Sequence, residues 1–195
     1  FTAPSETPTQ TPDYGYPRYY LGGDPTDPTR PYMSEEELAE IEKVDLLFTP
    51  KKILCDLRPY EEWGVKYAVH QKRSLLGDEM GLGKTIQALA AMVVLHNIKI
   101  RDGKGPGHFV VVAPLSVLLN WRKEIENKSD LKPSFVYHGN EEERRDALGK
   151  WIAQGGVLIT TFGMVAKMLE AKDALYKERN IGVEIDLIVI DEAQT

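Results

Sequence analysis

The sequence predicts an α/β fold in three layers, a mostly parallel sheet with helices on both faces, preceded by a flexible leader and one helix. Three observations lead there. Short β-branched runs such as Phe109-Val110-Val111-Val112-Ala113 alternate with segments of helical period, and that alternation builds a parallel sheet covered on both faces by its crossover helices. Residues 77–85, Gly-Asp-Glu-Met-Gly-Leu-Gly-Lys-Thr, form a glycine-rich loop at a strand-to-helix turn. Ile185-Asp186-Leu187-Ile188-Val189-Ile190 reads as a buried parallel strand running into Asp191-Glu192.

Residues 1–33 hold seven of the 12 prolines, together with Tyr14, Tyr16, Tyr19 and Tyr20, and show no hydrophobic period, so a flexible or surface-hugging leader is expected. An accessory helix is expected next, over 34–50. Ser34-Glu35-Glu36-Glu37 is a capping box that opens it, Leu38, Ile41, Leu47 and Phe48 approximate one face, and Thr49-Pro50 ends it. Residues 51–195 then read as one lobe, with helices near 58–70, 84–97, 116–127, 141–153 and 162–171 separating strands near 73–76, 108–113, 134–137, 156–160 and 185–190. Trp63, Trp121 and Trp151 fall at helical positions among aliphatics and are assigned to the core. Glu141-Glu142-Glu143 reads as the acidic first turn of a helix, where it complements the dipole.

With 195 residues, 42% of them hydrophobic, the chain can bury one sizeable core. It carries no secretory signal and no apolar run of membrane-spanning length, which points to an intracellular protein of the cytoplasm or nucleoid, or of the nucleus in a eukaryote. The lone Cys55 excludes an internal disulfide and a cysteine zinc cluster, and is read as a packed thiol. The four histidines lack metal-ligand spacing. The net charge of −6 is uneven: residues 1–50 carry 3 basic and 10 acidic side chains, residues 51–195 carry 21 and 20. The lobe itself is near neutral, so it should hold a nucleic acid weakly and in a salt-sensitive way.

The loop at 77–85 has the chemistry of a phosphate site. Glycines turn backbone N–H groups onto phosphate oxygens, the helix N-terminus adds partial positive charge, Lys84 reaches the β- and γ-phosphates, and Thr85 ligates Mg²⁺. Gly81-Leu82-Gly83-Lys84-Thr85 is intact, while Asp78 occupies the slot where the general pattern has its first glycine. About a hundred residues on, Asp191 would join the magnesium shell and Glu192 would polarise the attacking water. Two further strand ends, at Pro114 and Ser116 and at Thr160 and Thr161, offer hydroxyls and helix N-termini suited to a nucleic-acid backbone.

The strings Asp78-Glu-Met-Gly-Leu-Gly-Lys-Thr85, Val112-Ala-Pro-Leu-Ser-Val-Leu-Leu-Asn-Trp121, Leu57-Arg-Pro-Tyr60 and Asp191-Glu-Ala-Gln194 together resemble the SWI/SNF-type ATPases of helicase superfamily 2, over about residues 53–195. The resemblance implies the N-terminal RecA-like lobe of a DNA-stimulated ATPase that translocates on duplex DNA and remodels protein–DNA complexes, with ATP and magnesium as cofactors. It implies nucleotide contacts from Asp78, Gly81, Leu82, Gly83, Lys84 and Thr85 and from Arg58, Tyr60 and Glu61, with Thr85 and Asp191 on the metal. Lys84, Asp191 and Glu192 take the catalytic roles, and Pro114, Ser116, Thr160 and Thr161 lie near the DNA backbone. Members usually carry Gln where this chain has Glu61; a carboxylate accepts from the adenine amino group but cannot donate to the ring nitrogen. Gln194 is similar to what many bacterial members show. Hydrolysis in such enzymes uses arginines of a second RecA-like lobe, which this chain lacks, and a piece of a longer protein is expected. An RNA helicase lobe and a nucleotide-binding regulatory module without turnover remain alternatives.

Overall fold

A computed structural model of the chain describes residues 35–71, 74, 83–180 and 182–191. The leader, the strand expected near 73–76 except for Ser74, the loop residues 77–82 with Asp78, Gly81 and Leu82, and the segment Glu192 to Thr195 lie outside the described residues. The remainder runs α1 (Glu35–Glu42), α2 (Pro59–His70), α3 (Lys84–Arg101), β1 (His108–Val112), α4 (Leu118–Lys128), β2 (Ser134–Tyr137), α5 (Glu141–Gln154), β3 (Gly156–Thr160), α6 (Phe162–Arg179) and β4 (Leu187–Ile190).

The four strands form one all-parallel sheet in the order β2-β3-β1-β4. Strands buried on two faces must be apolar at consecutive positions, which is why Phe109 to Val112 and Val157 to Ile159 read as continuous runs. Alternate residues serve opposite layers. Phe109, Val111, Val157 and Ile159 pack with Leu89 and Met92 of α3 and Trp121 and Ile125 of α4. Val110, Val112 and Leu158 pack with Leu148 and Trp151 of α5 and Met168 of α6. On the outer side of α3, Val65 of α2 meets Ala90, Ala91 and Val94. The three-layer arrangement inferred from the alternation of elements is the one observed, and all three tryptophans are buried.

Several boundaries differ from the sequence reading. The first helix stops at Glu42 rather than continuing to residue 50, so Leu47 and Phe48 do not share a helical face with Leu38 and Ile41. The chain there is held from a distance: Asn97 Nδ2 donates to Leu47 O at 2.7 Å and to Lys51 O at 2.9 Å, and Asn97 Oδ1 accepts from Lys51 N–H at 3.0 Å. Buried at 1% exposure, Asn97 satisfies backbone groups that a longer helix would have paired internally. α6 runs on to Arg179 because nothing before Asn180, which turns left-handed at φ 53°, breaks its period. α3 likewise continues to Arg101, where Lys99 and Arg101 complement its dipole. α4 is preceded by a 3₁₀ turn over Leu115–Val117. Cys55 is exposed, not packed, because it lies in the turn between an isolated bridge at Ile53 and α2.

Candidate nucleotide site at the carboxyl rim of the sheet

The pairing register aligns Tyr137, Thr160, Val112 and Ile190, so all four strands finish at one level. The residues just beyond these strand ends form a rim: Ala113 and Pro114 after β1, Thr161 after β3, Asp191 after β4. α3 brings its N-terminus to that rim. Its far end is pinned to the amino end of the sheet, where Lys99 Nζ lies 2.9 Å from Asp186 Oδ2 and Gly107 N–H donates to His96 Nδ1 at 3.2 Å. A helix of 18 residues is about 27 Å long, so from there it crosses the sheet antiparallel to the strands and delivers Gly83, Lys84 and Thr85 to the carboxyl side.

At that end Gly83 adopts φ 77°, a left-handed conformation natural to glycine, and no described side chain caps the helix. Its first N–H groups carry the positive end of the dipole, with Lys84 and Thr85 partly exposed beside them. A Cβ at Gly83 would overlap Glu61 Oε1. Glu61, 6% exposed, is therefore wedged between two helix N-termini, because its Oε2 also accepts from Arg58 N–H at 2.8 Å and caps α2. Pro59 supplies the pre-set φ of the first helical position. Arg58 and Tyr60 stay close to each other, Nη1 donating to the phenol oxygen at 2.9 Å. Arg58, Tyr60, Glu61 and Gly83 thus form one neighbourhood in which a carboxylate, not an amide, touches Gly83 at the N-terminus of α3.

Asp191 is anchored twice. Its N–H donates to Val112 O at 2.9 Å, extending the ladder one residue beyond β4, and its Oδ2 accepts from Trp121 Nε1–H at 2.8 Å. Nothing in the sequence pattern points to the indole hydrogen bond; the one signal near it is the place of Trp121 in the Val112–Trp121 string. Among the described residues nothing else bonds to the carboxylate, and its Oδ1 is left for a ligand. Mg²⁺ takes one or two carboxylates plus phosphate oxygens and water, so the Asp191 carboxylate, at the same rim as a helix N-terminus that bears Lys84 and Thr85 and has no described side-chain cap, fits Mg²⁺ with a triphosphate. Among the described residues no group of three or more His, Cys, Asp or Glu side chains forms an all-protein metal cage.

The other rim positions divide. Ser116 is exposed on the 3₁₀ turn and Pro114 is partly exposed. Thr161 precedes α6 without capping it, so its hydroxyl is not taken by the helix. Thr160, expected to face a nucleic acid, does not: it is the last strand residue, 0% exposed, and its hydroxyl donates to Tyr137 O at 3.2 Å. Only Thr161 of that pair presents a side chain to the rim.

The sequence profile of the SNF2-related domain matches residues 60–195, about 70% of the chain. This chain belongs to the SNF2-related family. Among curated relatives, the SNF2 sequence here is 33% identical over 151 residues to the ISWI chromatin-remodeling complex ATPase ISW1 of Saccharomyces cerevisiae, covering 74% of this chain and 12% of that protein. It is 31% identical over 158 residues to the chromatin-remodeling ATPase INO80 of Mycosarcoma maydis, covering 74% and 8%. Among solved structures, the Sulfolobus solfataricus SWI2/SNF2 ATPase core in complex with dsDNA superposes with a TM-score of 0.50 at 29% identity, over 77% of this chain and 29% of that one. The chain thus spans 12% or less of these two curated relatives. No described helix of this SNF2-related chain is long and apolar enough to cross a membrane.

Proposed function

We propose that this chain is the ATP-binding first motor lobe, over residues 51–195, of a SWI/SNF-type DNA-dependent ATPase that translocates on duplex DNA and remodels protein–DNA complexes, with residues 1–33 a leader and 34–50 an accessory segment. The observation that carries the reading is the meeting, at one rim of a parallel sheet, of an 18-residue helix that no described side chain caps, with Lys84 and Thr85 in its first turn, and an acidic strand end at Asp191. Family membership and the likeness to an ATPase core with bound dsDNA support it.

In this reading the α3 N-terminus, Gly83 N–H and Lys84 bind the β- and γ-phosphates, continuing the cradle of Asp78, Gly81 and Leu82. Thr85 and Asp191 hold Mg²⁺, which supplies neutralisation of phosphate charge when bound. Glu192 accepts the proton of the attacking water. Arg58, Tyr60 and Glu61 border the base. Pro114, Ser116 and Thr161 contact the DNA backbone from the neighbouring strand ends. Turnover needs arginines from a second RecA-like lobe, which contribute on the order of 10³–10⁵ in rate where P-loop enzymes use them.

The test is Lys84→Ala, with calorimetric titration against ATP and Mg²⁺. Affinity should fall about tenfold or more, the worth of a hydrogen bond to a charged group, while the circular dichroism spectrum stays that of the wild type. Unchanged affinity would remove the phosphate assignment.

A further inference from the structure

We propose that Trp121 is a positioning residue for the metal-holding carboxylate, its indole N–H at 2.8 Å from Asp191 Oδ2 fixing that side chain in the orientation that Mg²⁺ requires. This rests on the reading of Asp191 as the metal holder. A carboxylate just past a strand end has two side-chain torsions to order, and nothing in its own backbone anchor, the N–H to Val112 O bond, restrains them. The donor that does restrain them comes from a rigid source. The Trp121 ring is 4% exposed and locked in the core with Leu118, Ile125 and Phe109, so its N–H is aimed by packing rather than by a mobile stem.

The chemistry suits the task. Indole donates and never accepts, so it favours the ionised carboxylate that a cation needs. Being neutral, it adds no positive charge to compete with the metal, as a lysine or arginine in its place would. It occupies Oδ2, and no described residue takes Oδ1, whose lone pairs can reach the magnesium or a water bound to it. Hydrogen-bond partners of metal-holding side chains typically change metal affinity roughly 10- to 100-fold when removed.

The experiment uses the chain as it stands, comparing wild type, Trp121→Phe and Asp191→Ala by calorimetric titration with ATP, once in EDTA and once in excess Mg²⁺. Trp121→Phe keeps an aromatic ring in the core and removes the donor. The gain in ATP affinity conferred by Mg²⁺ should drop about tenfold or more in Trp121→Phe, with affinity in EDTA unchanged, and should vanish in Asp191→Ala. A full magnesium gain in Trp121→Phe, or equal losses with and without Mg²⁺, overturns the positioning role and leaves that of Asp191 standing. A wild type without a magnesium gain, or an Asp191→Ala that keeps one, overturns the reading of Asp191 and this proposal with it. Should Trp121→Phe not fold, the wild type decides: Mn²⁺ with ATP should broaden one of the three indole N–H resonances in a nitrogen–proton spectrum, and should not do so in Asp191→Ala. No broadening in the wild type overturns the proposal.

Discussion

Gly83→Ala tests the join between the two helix N-termini, and its cost can be assembled from two separable parts. Gly83 sits at φ 77°, where an alanine is worse than glycine by roughly 1 kcal/mol. The added Cβ also overlaps Glu61 Oε1, and the flexible carboxylate yields by rotating away. Doing so breaks its 2.8 Å bond from Arg58 N–H and uncaps α2, which costs a further ~1 kcal/mol. The total of about 2 kcal/mol should lower Tm by about 4–8 °C in a folded unit of this size. In a Glu61→Ala background the cap is already gone and no carboxylate remains to collide with, so Gly83→Ala should cost only the backbone part. Thermal unfolding of the four proteins, monitored by circular dichroism, should therefore give a coupling energy of about 1 kcal/mol between the sites. Costs that add to within about 0.3 kcal/mol would mean that Glu61 does not lie against Gly83, and the wedge between α2 and α3 would have to be given up.

Glu61→Gln should raise the preference for ATP over GTP, by up to roughly a hundredfold if the new amide donates to the base, and competition binding with the two nucleotides measures it. A flat ratio would leave Glu61 as a cap for α2 only. Burial holds the His96 and His108 imidazoles below their ordinary range, with Lys51 and Lys99 adding to the effect at His96 and Lys99 at His108. The unfolded chain thus binds these protons more readily than the folded one, so the stability involved is complete above about pH 6.5 and is lost as the pH falls through the folded values. His96→Gln and His108→Gln should each flatten the decline of Tm measured from about pH 7.5 to about pH 5; an unaltered slope would refute the assignment.

The features legible in the sequence are those that local chemistry decides. A run such as Phe109 to Val112, β-branched and short, reads as a strand covered on both faces, and the acidic Glu141-Glu142-Glu143 reads as the first turn of a helix, as α5 shows. The hidden features depend on partners far along the chain. The end of α1 depends on Asn97, 46 residues from Lys51 and 50 from Leu47. The second task of Trp121 depends on Asp191, 70 residues away. Thr160 and Thr161 look interchangeable in sequence, and only the pairing of Thr160 with Val112 and Tyr137 decides that the first is buried and the second presented.

Long-range bonds also set the geometry of the rim from its opposite side. Asp186, just before β4, accepts from Lys99 of α3 at 2.9 Å and from the His108 N–H of β1 at 2.7 Å, and the Lys99 and Asp186 side chains are less than a fifth exposed. So shielded, the pair is screened by salt far less than a surface ion pair. It joins the C-terminal part of α3 to the foot of β4. From that clasp α3 runs up to Lys84 and Thr85, and β4 runs up beside it to Asp191, each element stiff along its length through its own backbone bonds. The separation between Lys84 and Thr85 on one side and Asp191 on the other is therefore set by the relative heights of two elements tied together at the base. Trp121 then fixes at the top what Asp186 fixes at the bottom: the clasp sets how far β4 rises, and the indole sets how the Asp191 carboxylate turns once it arrives.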